Sequence, residues 1–140
     1  MSNEEESVLE SNKNFYRAIQ SLDLSEMESI WLPEEWVRCV HPGWDLIEGW
    51  EAIRESWQRI FKNTRYLRVS VSLQSVRVEN SQAWVCCTEK IFTASEGRFE
   101  NAHVQATNIF LLSGGAWYLV HHHGSHLPPS NEEEESEMVQ

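Results

Sequence analysis

The sequence predicts an α+β fold in which three helices precede an antiparallel sheet. Apolar residues recur every three or four positions in the first part of the chain, and from Tyr66 onward they alternate with a period of two. Turn-forming stretches at residues 79–81, 94–97 and 113–116 divide the second part into four long strands. Helices followed by a run of strands are typical of α+β folds.

Short capping signals delimit the three helices. Asn3 or Ser2 can cap the first helix, whose acidic opening turn suits the helix dipole. Residues 25–28 have capping-box spacing and start a short second helix, which a proline then stops. A third amphipathic helix follows Gly49 and ends at about Lys62. The inward face of the first helix is formed by Val8, Asn12, Phe15, Tyr16, Ile19 and Leu22.

The strands carry two local irregularities. Residues 36–40 form an extended segment that ends in the turn His41-Pro42-Gly43-Trp44. Because proline keeps the preceding residue extended, the His41 imidazole is expected at a strand end on a rigid corner. In the first long strand the apolar residues change face after Leu73, which predicts a bulge near Gln74 or Ser75.

The last strand, residues 117–126, changes from apolar to polar along its length. Strict alternation places Trp117 and Leu119 on one face together with His121, His123 and Ser125. This face is therefore expected to lead from the core into a site.

Asn108 is a polar side chain on an otherwise apolar row of the preceding strand. It is in phase with Ala102, Val104, Ala106 and Phe110, so it is expected to face the core. Burial of an unpaired amide costs about 1–3 kcal/mol. Asn108 should therefore have a protein partner, a water or a ligand.

The net charge of −11 comes mainly from the two ends of the chain. Residues 7–129 carry 14 acidic against 11 basic side chains, whereas residues 4–6 and 132–137 hold the other eight acids. The sequence thus predicts an acidic extension at 1–6, one domain at 7–129 and an acidic disordered tail at 130–140. Without clustered positive charge, a spanning segment or a signal peptide, we expect no nucleic-acid or membrane partner and a cytoplasmic location.

Four sequence stretches resemble the SnoaL-like branch of the nuclear transport factor 2-like superfamily. They are residues 40–44, 47–54, 106–110 and 117–125, and the resemblance covers about residues 10–129. It implies that the sheet curls around the helices into a cone with an apolar internal cavity. Relatives include isomerases, cyclases, dehydratases and non-catalytic assembly modules, so the fold alone does not give a function.

The resemblance to ketosteroid isomerases places different chemistry at each catalytic position. His41 stands where those enzymes have the catalytic carboxylate, Asn108 where they have the oxyanion acid, and Phe15 near their oxyanion tyrosine. Tyr16 lies about 100° around the helix from Phe15 and is a poor substitute. Steroid isomerisation by that mechanism is therefore not expected, although a neutral His41 can act as a general base.

The final strand is also similar to the association domain of calmodulin-dependent kinase. Trp117, Val120, His121, His123 and Ser125 match its Trp-x-x-Val-His-x-His-x-Ser pattern. In that family the pattern serves oligomeric assembly around a pocket lined by arginines. The matching positions here are Thr88 and Asn108, which are neutral, so binding of a carboxylate by paired arginines is not implied.

Two classes of function follow from these observations. The first is a small-molecule-binding or assembly module with an apolar pocket, forming a homodimer through the outer sheet face. The alternative is an isomerase, cyclase or dehydratase that acts on a small apolar carbonyl compound, with His41 as general acid or base and Asn108 as oxyanion donor. The other predicted pocket residues are Trp31, Trp36, Trp57, Thr88, Phe110, His121, His123 and Ser125.

A metal site is a third alternative. His121 and His123 share a predicted face, and His41 would add a third ligand. The sequence places no acidic ligand beside them. It therefore favours neither a metal nor another cofactor.

Overall fold

A computed structural model describes residues 1–128 of the 140-residue chain as three helices and six strands. The elements are α1 (Asn3–Ser21), α2 (Leu24–Glu28), β1 (Arg38–Val40), β2 (Ile47–Glu48), α3 (Trp50–Lys62), β3 (Tyr66–Glu79), β4 (Gln82–Ser95), β5 (Arg98–Ser113) and β6 (Ala116–His126). The strands form one sheet in the order β2-β1-β6-β5-β4-β3. Because α1 packs against β3, β4 and β6, the sheet curves around the helices, and the predicted α+β fold is confirmed.

The helices begin at side-chain caps. Ser2 caps α1 through a capping box with Glu5, so most of the acidic residues 1–6 form the first turn of a helix rather than a separate extension. Asp23 caps α2 by accepting the Ser25 backbone N–H at 2.9 Å, two residues earlier than the cap that the sequence predicted. Gly49 precedes α3 with a φ of +85°, which explains why glycine suits this junction. The tail predicted at residues 130–140 lies outside the described residues.

The short strands β1 and β2 attach the helical part to the long sheet. β1 pairs in parallel with β6 and antiparallel with β2, a strand that the sequence did not predict. The predicted turn after β1 is confirmed, since the Trp44 N–H donates to the His41 carbonyl at 2.9 Å and Gly43 has a φ of +84°. His41 is therefore held at the end of β1, beside the inner face of the sheet.

β3 contains the predicted bulge. Its register with β4 shifts between Ser72 and Ser75, and Leu73 takes a left-handed φ of +52°. The bulge turns Leu73 outward, where 84% of the side chain is exposed, while Val71 and Val76 stay half-buried on either side. The change of apolar face along the sequence thus records a real change in strand geometry.

β6 contains a second bulge, which overturns the predicted faces of its polar half. Ile109 pairs with His121 but Phe110 pairs with Leu119, so Val120 is an extra residue without a strand partner on β5. The other edge of Leu119 is paired with the backbone of Ile30 and Leu32, which holds this part of β6 in place. Alternation therefore restarts after Leu119, and His122, not His121 or His123, faces the core.

Within residues 1–128, no helix combines the length and apolarity needed to span a membrane.

The core lies between the concave face of the sheet and the helices. β6 passes close to Pro42 and Val104 at Gly124. A glycine suits this position, because an added Cβ would lie within 3.1 Å of both side chains. The largest fully buried apolar side chains are Trp31, Phe15, Phe110, Met27, Ile53 and Leu119.

Candidate functional site

A buried chain of hydrogen bonds runs from β6 to α1 through Asn108. His122 Nδ1 lies 2.6 Å from Asn108 Oδ1, and Asn108 Nδ2 donates to Asn12 Oδ1 at 2.8 Å and to Tyr16 Oη at 3.0 Å. Asn12 Nδ2 then donates to Gln74 Oε1 at 3.2 Å. Because both amide hydrogens of Asn108 are used, its oxygen accepts, and His122 carries its proton on Nδ1. The prediction that Asn108 has a buried partner is confirmed.

Tyr16 connects this chain to a buried carboxyl group on β4. Its hydroxyl donates to Glu89 Oε2 at 2.5 Å and lies 3.3 Å from Cys87 Sγ. Burial raises the pKa of Glu89 to about 7, although the hydrogen bond from Tyr16 acts in the opposite direction. Burial, and then the nearby Glu89 charge, raise the pKa of Tyr16 well above its usual value. Tyr16 therefore stays protonated, while Glu89 can change its charge near neutral pH.

Phe15 and Tyr16 both lie on the inward face of α1, as the sequence predicted. Both Phe15 and Tyr16 are buried, because α1 lies inside the curve of the sheet and has neighbours over a wide angle. The Phe15 ring meets His122 and Trp57 edge-on, at centroid distances of 4.9 and 5.9 Å. Tyr16 instead points to Asn108 and Glu89. The helix thus presents two adjacent aromatic residues to the core.

His41 belongs to a separate buried group beside the middle of α3. Its Nε2 lies 2.8 Å from Ser56 Oγ, and Ser56 donates its own proton to the Ile53 carbonyl at 2.6 Å. Because that proton is used, His41 must donate from Nε2, which leaves Nδ1 as its acceptor. Trp57 and Trp44 cover the imidazole edge-on, with ring centroids 4.5 and 4.9 Å away. Burial lowers the pKa of His41 to about 4, so the ring is neutral at pH 7.

An open groove lies between α1 and β3. It has a volume of about 510 Å³, and its walls include Leu9, Val69 and Val71. Asn12 and Tyr16 also line it, which brings the buried chain of hydrogen bonds to the groove. Its lining also includes four charged side chains of α1, which are Glu6, Glu10, Lys13 and Arg17.

The predicted pocket residues do not gather around one space. Trp31, Trp57 and Phe110 are buried in the core, whereas half of Trp36 is exposed. None of these four residues is among those that line the groove. Apolar aromatic residues suit both a core and a pocket, so the sequence does not distinguish between the two. In the structure they serve mainly as core.

The polar strand residues predicted for the pocket lie on the outer sheet face. Thr88 alternates with the buried Cys87 and Glu89, so it faces outward and is half-buried. The bulge at Val120 places His121, His123 and Ser125 on the same outer face. The His121 and His123 rings are 6.2 Å apart, and burial, then His123 and Arg38, lower the pKa of His121.

The three histidines of the predicted metal site, His41, His121 and His123, do not lie on one face of the sheet. His41 is on the inner side of the sheet, opposite to His121 and His123. Among residues 1–128, no group of three or more histidine, cysteine, aspartate or glutamate side chains is arranged to hold a metal ion.

Sequence reasoning missed Glu89, His122 and Ser56. Glu89 is in phase with Ala83, Val85 and Cys87 on β4, and this alternation was a readable sign that a carboxyl group faces the core. His122 was hidden by the bulge. Ser56 lies on the buried side of α3 one position before Trp57, but a serine on a helix gives no signal of its partner.

Comparisons with known proteins agree on one fold. A family model described as a SnoaL-like domain matches residues 8–129. The F-box protein SKIP8 of Arabidopsis thaliana is 29% identical over 118 residues, which are 84% of this chain and 48% of that protein. The chain therefore spans about half the length of this curated relative.

Two solved structures extend the comparison. A protein of the NTF2-like family from Streptomyces avermitilis, whose description proposes a dehydratase, is 31% identical with a TM-score of 0.84, over 90% of this chain and 97% of that one. The S. rosetta CaMKII hub has a TM-score of 0.72 at 18% identity, over 91% of this chain and 99% of that one. The likeness to the hub concerns the fold alone.

Proposed function

This chain belongs to the SnoaL-like domain family, and from that membership we propose that it is a small-molecule-binding module whose ligand lies in the groove between α1 and β3. The observation that carries the proposal is the meeting of an open groove with a buried polar network at Asn12 and Tyr16. Pockets for small ligands usually measure about 300–1,000 Å³ and combine apolar walls with a few placed polar groups. The groove, at about 510 Å³, has both features.

The lining supports a ligand with an apolar body and one polar end. Leu9, Val69 and Val71 offer an apolar surface, while Asn12 and Tyr16 offer polar atoms that the network holds in fixed directions. A side chain held by several hydrogen bonds loses little further freedom when a ligand binds, which favours affinity.

A groove-filling substitution tests this proposal. Val71→Trp is expected to fill the groove and to abolish retention of a copurifying small molecule in native mass spectrometry of the untagged protein. Ser70→Trp is the matched control, because residue 70 is exposed and alternates to the outer face of the same strand. Equal retention by wild type and Val71→Trp, with both variants folded, would contradict the proposed site.

Self-assembly through the outer sheet face is a second candidate. Four large side chains on that face, Trp84, Ile109, Leu111 and Tyr118, are half-buried in the single chain and neighbour one another across β4, β5 and β6. A connected apolar patch of this kind is typical of an interface. The fold shared with the CaMKII hub is compatible with it.

The oligomeric state tests the second candidate. We expect a homodimer at tens of micromolar by light scattering, and a monomer for Ile109→Arg, because an unpaired charge in an apolar interface is costly. Gln58→Arg, at an exposed position on α3, is the control and should stay dimeric. A monomeric wild type at this concentration would eliminate the assembly proposal.

A cavity enzyme remains the alternative, because the Streptomyces relative is described as a proposed dehydratase. In this reading the neutral His41 is the base, through Nδ1, and Asn108 is the oxyanion donor. A base with a pKa of about 4 is weak at pH 7, and neither residue lines the groove. Unchanged turnover of an identified ligand by His41→Ala and Asn108→Ala would eliminate these roles.

A further inference from the structure

The Tyr16 hydroxyl has no hydrogen-bonding capacity left in the structure. A phenol has one proton and two lone pairs. The proton goes to Glu89 Oε2 at 2.5 Å, and one lone pair receives Asn108 Nδ2–H at 3.0 Å. Cys87 Sγ, at 3.3 Å, must then donate to the other lone pair. With Glu89 ionised, Tyr16 has no proton to offer to a ligand in the groove.

The other hydrogen bonds of the network cannot reverse their direction to free the Tyr16 proton. Asn108 is fixed in direction, because its oxygen accepts from His122 and both of its amide hydrogens are used. Asn12 is fixed in turn, since it accepts from Asn108 and donates to Gln74. The Tyr16–Glu89 hydrogen bond is therefore the part of the network that can change direction.

A proton on Glu89 changes what the groove can bind. A neutral Glu89 donates its own O–H to Tyr16 Oη, and the weak Cys87 contact is given up. The Tyr16 proton is then no longer held by Glu89, and Tyr16 is one of the residues that line the groove. Tyr16 keeps this proton, because its pKa is raised far above neutrality.

We propose that the groove selects a ligand with a carbonyl-type acceptor oxygen, which receives the Tyr16 hydroxyl proton, and that binding is coupled to uptake of one proton from solvent by Glu89. This inference rests on the proposed function and names the ligand class of the same site. A ligand that offers only donor groups gains nothing from the rearrangement, because the Tyr16 proton, once released by Glu89, then has no acceptor in the groove.

The surroundings of Glu89 make the two states close in free energy. Burial raises the pKa of Glu89 to about 7, so neither state is costly near neutral pH. β3 and β5 place Val71 and Val104 beside it, and these side chains carry no charge. The titratable groups that act on Glu89 are Tyr16 from α1, Cys87 from β4 and Cys39 from β1.

The pH dependence of binding follows from this linkage. Below pH 7 Glu89 already carries the proton, and affinity for an acceptor ligand is at its maximum. Above pH 7 each further pH unit is expected to weaken binding about tenfold, because one proton must be taken up. Affinity thus falls as pH rises.

The test compares acetophenone, which has an acceptor oxygen, with 1-phenylethylamine, which has the same size but a donor group. Both are titrated into ¹⁵N-labelled protein between pH 6 and pH 9, following the Val71 backbone and Gln74 side-chain amides. We expect acetophenone to shift these signals and its dissociation constant to rise about tenfold from pH 7.5 to pH 8.5. The amine should bind at least tenfold more weakly at pH 6.

Three variants test whether Glu89 couples ligand binding to proton uptake. Glu89→Gln replaces the titrating carboxyl with an amide that does not titrate and whose N–H can donate to Tyr16, so acetophenone should bind equally well at pH 6 and pH 9. Tyr16→Phe should lose binding at both pH values. Glu100→Gln, which removes an exposed carboxyl group of β5, should keep the wild-type pH dependence.

The possible failures are distinguishable. If neither probe moves a groove signal, the proposed binding site itself is refuted. If acetophenone binds in the groove with the same affinity at pH 6 and pH 9, only the coupling of binding to proton uptake is refuted. The same holds if Glu89→Gln keeps the wild-type pH dependence of the dissociation constant. Tighter binding of the amine would refute the acceptor class.

Discussion

The Asn108 network should dominate the stability of the site, and Asn108→Ala is its most direct perturbation. The substitution leaves His122 Nδ1–H and Asn12 Oδ1 without a partner, while Tyr16 keeps Glu89 and Cys87. Each buried unpaired group costs about 1–3 kcal/mol, so the free energy of unfolding should fall by roughly 2–6 kcal/mol. That is a large share of the ~5–15 kcal/mol typical of a domain.

Urea unfolding followed by the fluorescence of the seven tryptophans measures this loss. Thr107→Ala is the matched control, because it shortens the neighbouring half-buried side chain on the outer face and should cost less than about 1 kcal/mol. A double-mutant cycle with Asn12→Ala should show a coupling of about 1–3 kcal/mol, since the two residues share one hydrogen bond. Equal losses for Asn108→Ala and Thr107→Ala, with unchanged m-values, would refute the reasoning.

Three further predictions concern stability. Because burial raises the folded-state pKa of Glu89 from 4.5 to about 7, its contribution to the free energy of unfolding is complete below pH 4.5 and is lost as pH rises through 7. Glu89→Gln should remove this dependence, which amounts to roughly 3 kcal/mol, in urea titrations at pH 4.5 and pH 8.5. Leu73→Gly should raise the free energy of unfolding by about 0.5–1 kcal/mol, and with it the melting temperature, because Leu73 is exposed with a φ of +52°. Val71→Gly, on the same strand, should lower the melting temperature. His122→Ala should lower the free energy of unfolding by about 2–4 kcal/mol, and His123→Ala should change it by less than about 0.5 kcal/mol.

Each of these predictions has a result that contradicts it. Parallel pH profiles for wild type and Glu89→Gln would mean that another group controls stability in this range. A lower melting temperature for Leu73→Gly would show that the bulge gains more from the Leu73 side chain than it loses in backbone strain. If His123→Ala cost as much as His122→Ala, the face assignment after the β6 bulge would be incorrect.

The local elements were predictable because their signals lie within a few residues. The limits of α3, the capped start of α1 and the bulge in β3 all follow from short-range spacing, capping and alternation. The need of Asn108 for a partner was also predictable, since it stands on an apolar row of β5. Its three partners were not, because they come from α1 and β6, far away in the sequence.

The site residues were harder to predict because one inserted residue reverses the face of everything that follows it. Val120 is such a residue. The bulge lies next to Leu119, whose other edge is hydrogen-bonded to the backbone of Ile30 and Leu32. No local pattern in residues 117–126 records that contact. Strict alternation therefore predicts that His121, His123 and Ser125 share the face of Trp117 and Leu119 and that His122 lies on the opposite face, whereas the structure has the reverse.

The sequence by itself determined the order of helices and strands, the periodicity that separates them, and the burial of Asn108. It did so because secondary structure and alternation depend on neighbouring residues. The tertiary structure alone decided that β1 would lie beside β6, that His122 would meet Asn108, and that Tyr16 would share its proton with Glu89 at a groove. Those outcomes depend on which distant backbone occupies each strand edge and which side chains meet when a sheet curves around a helix.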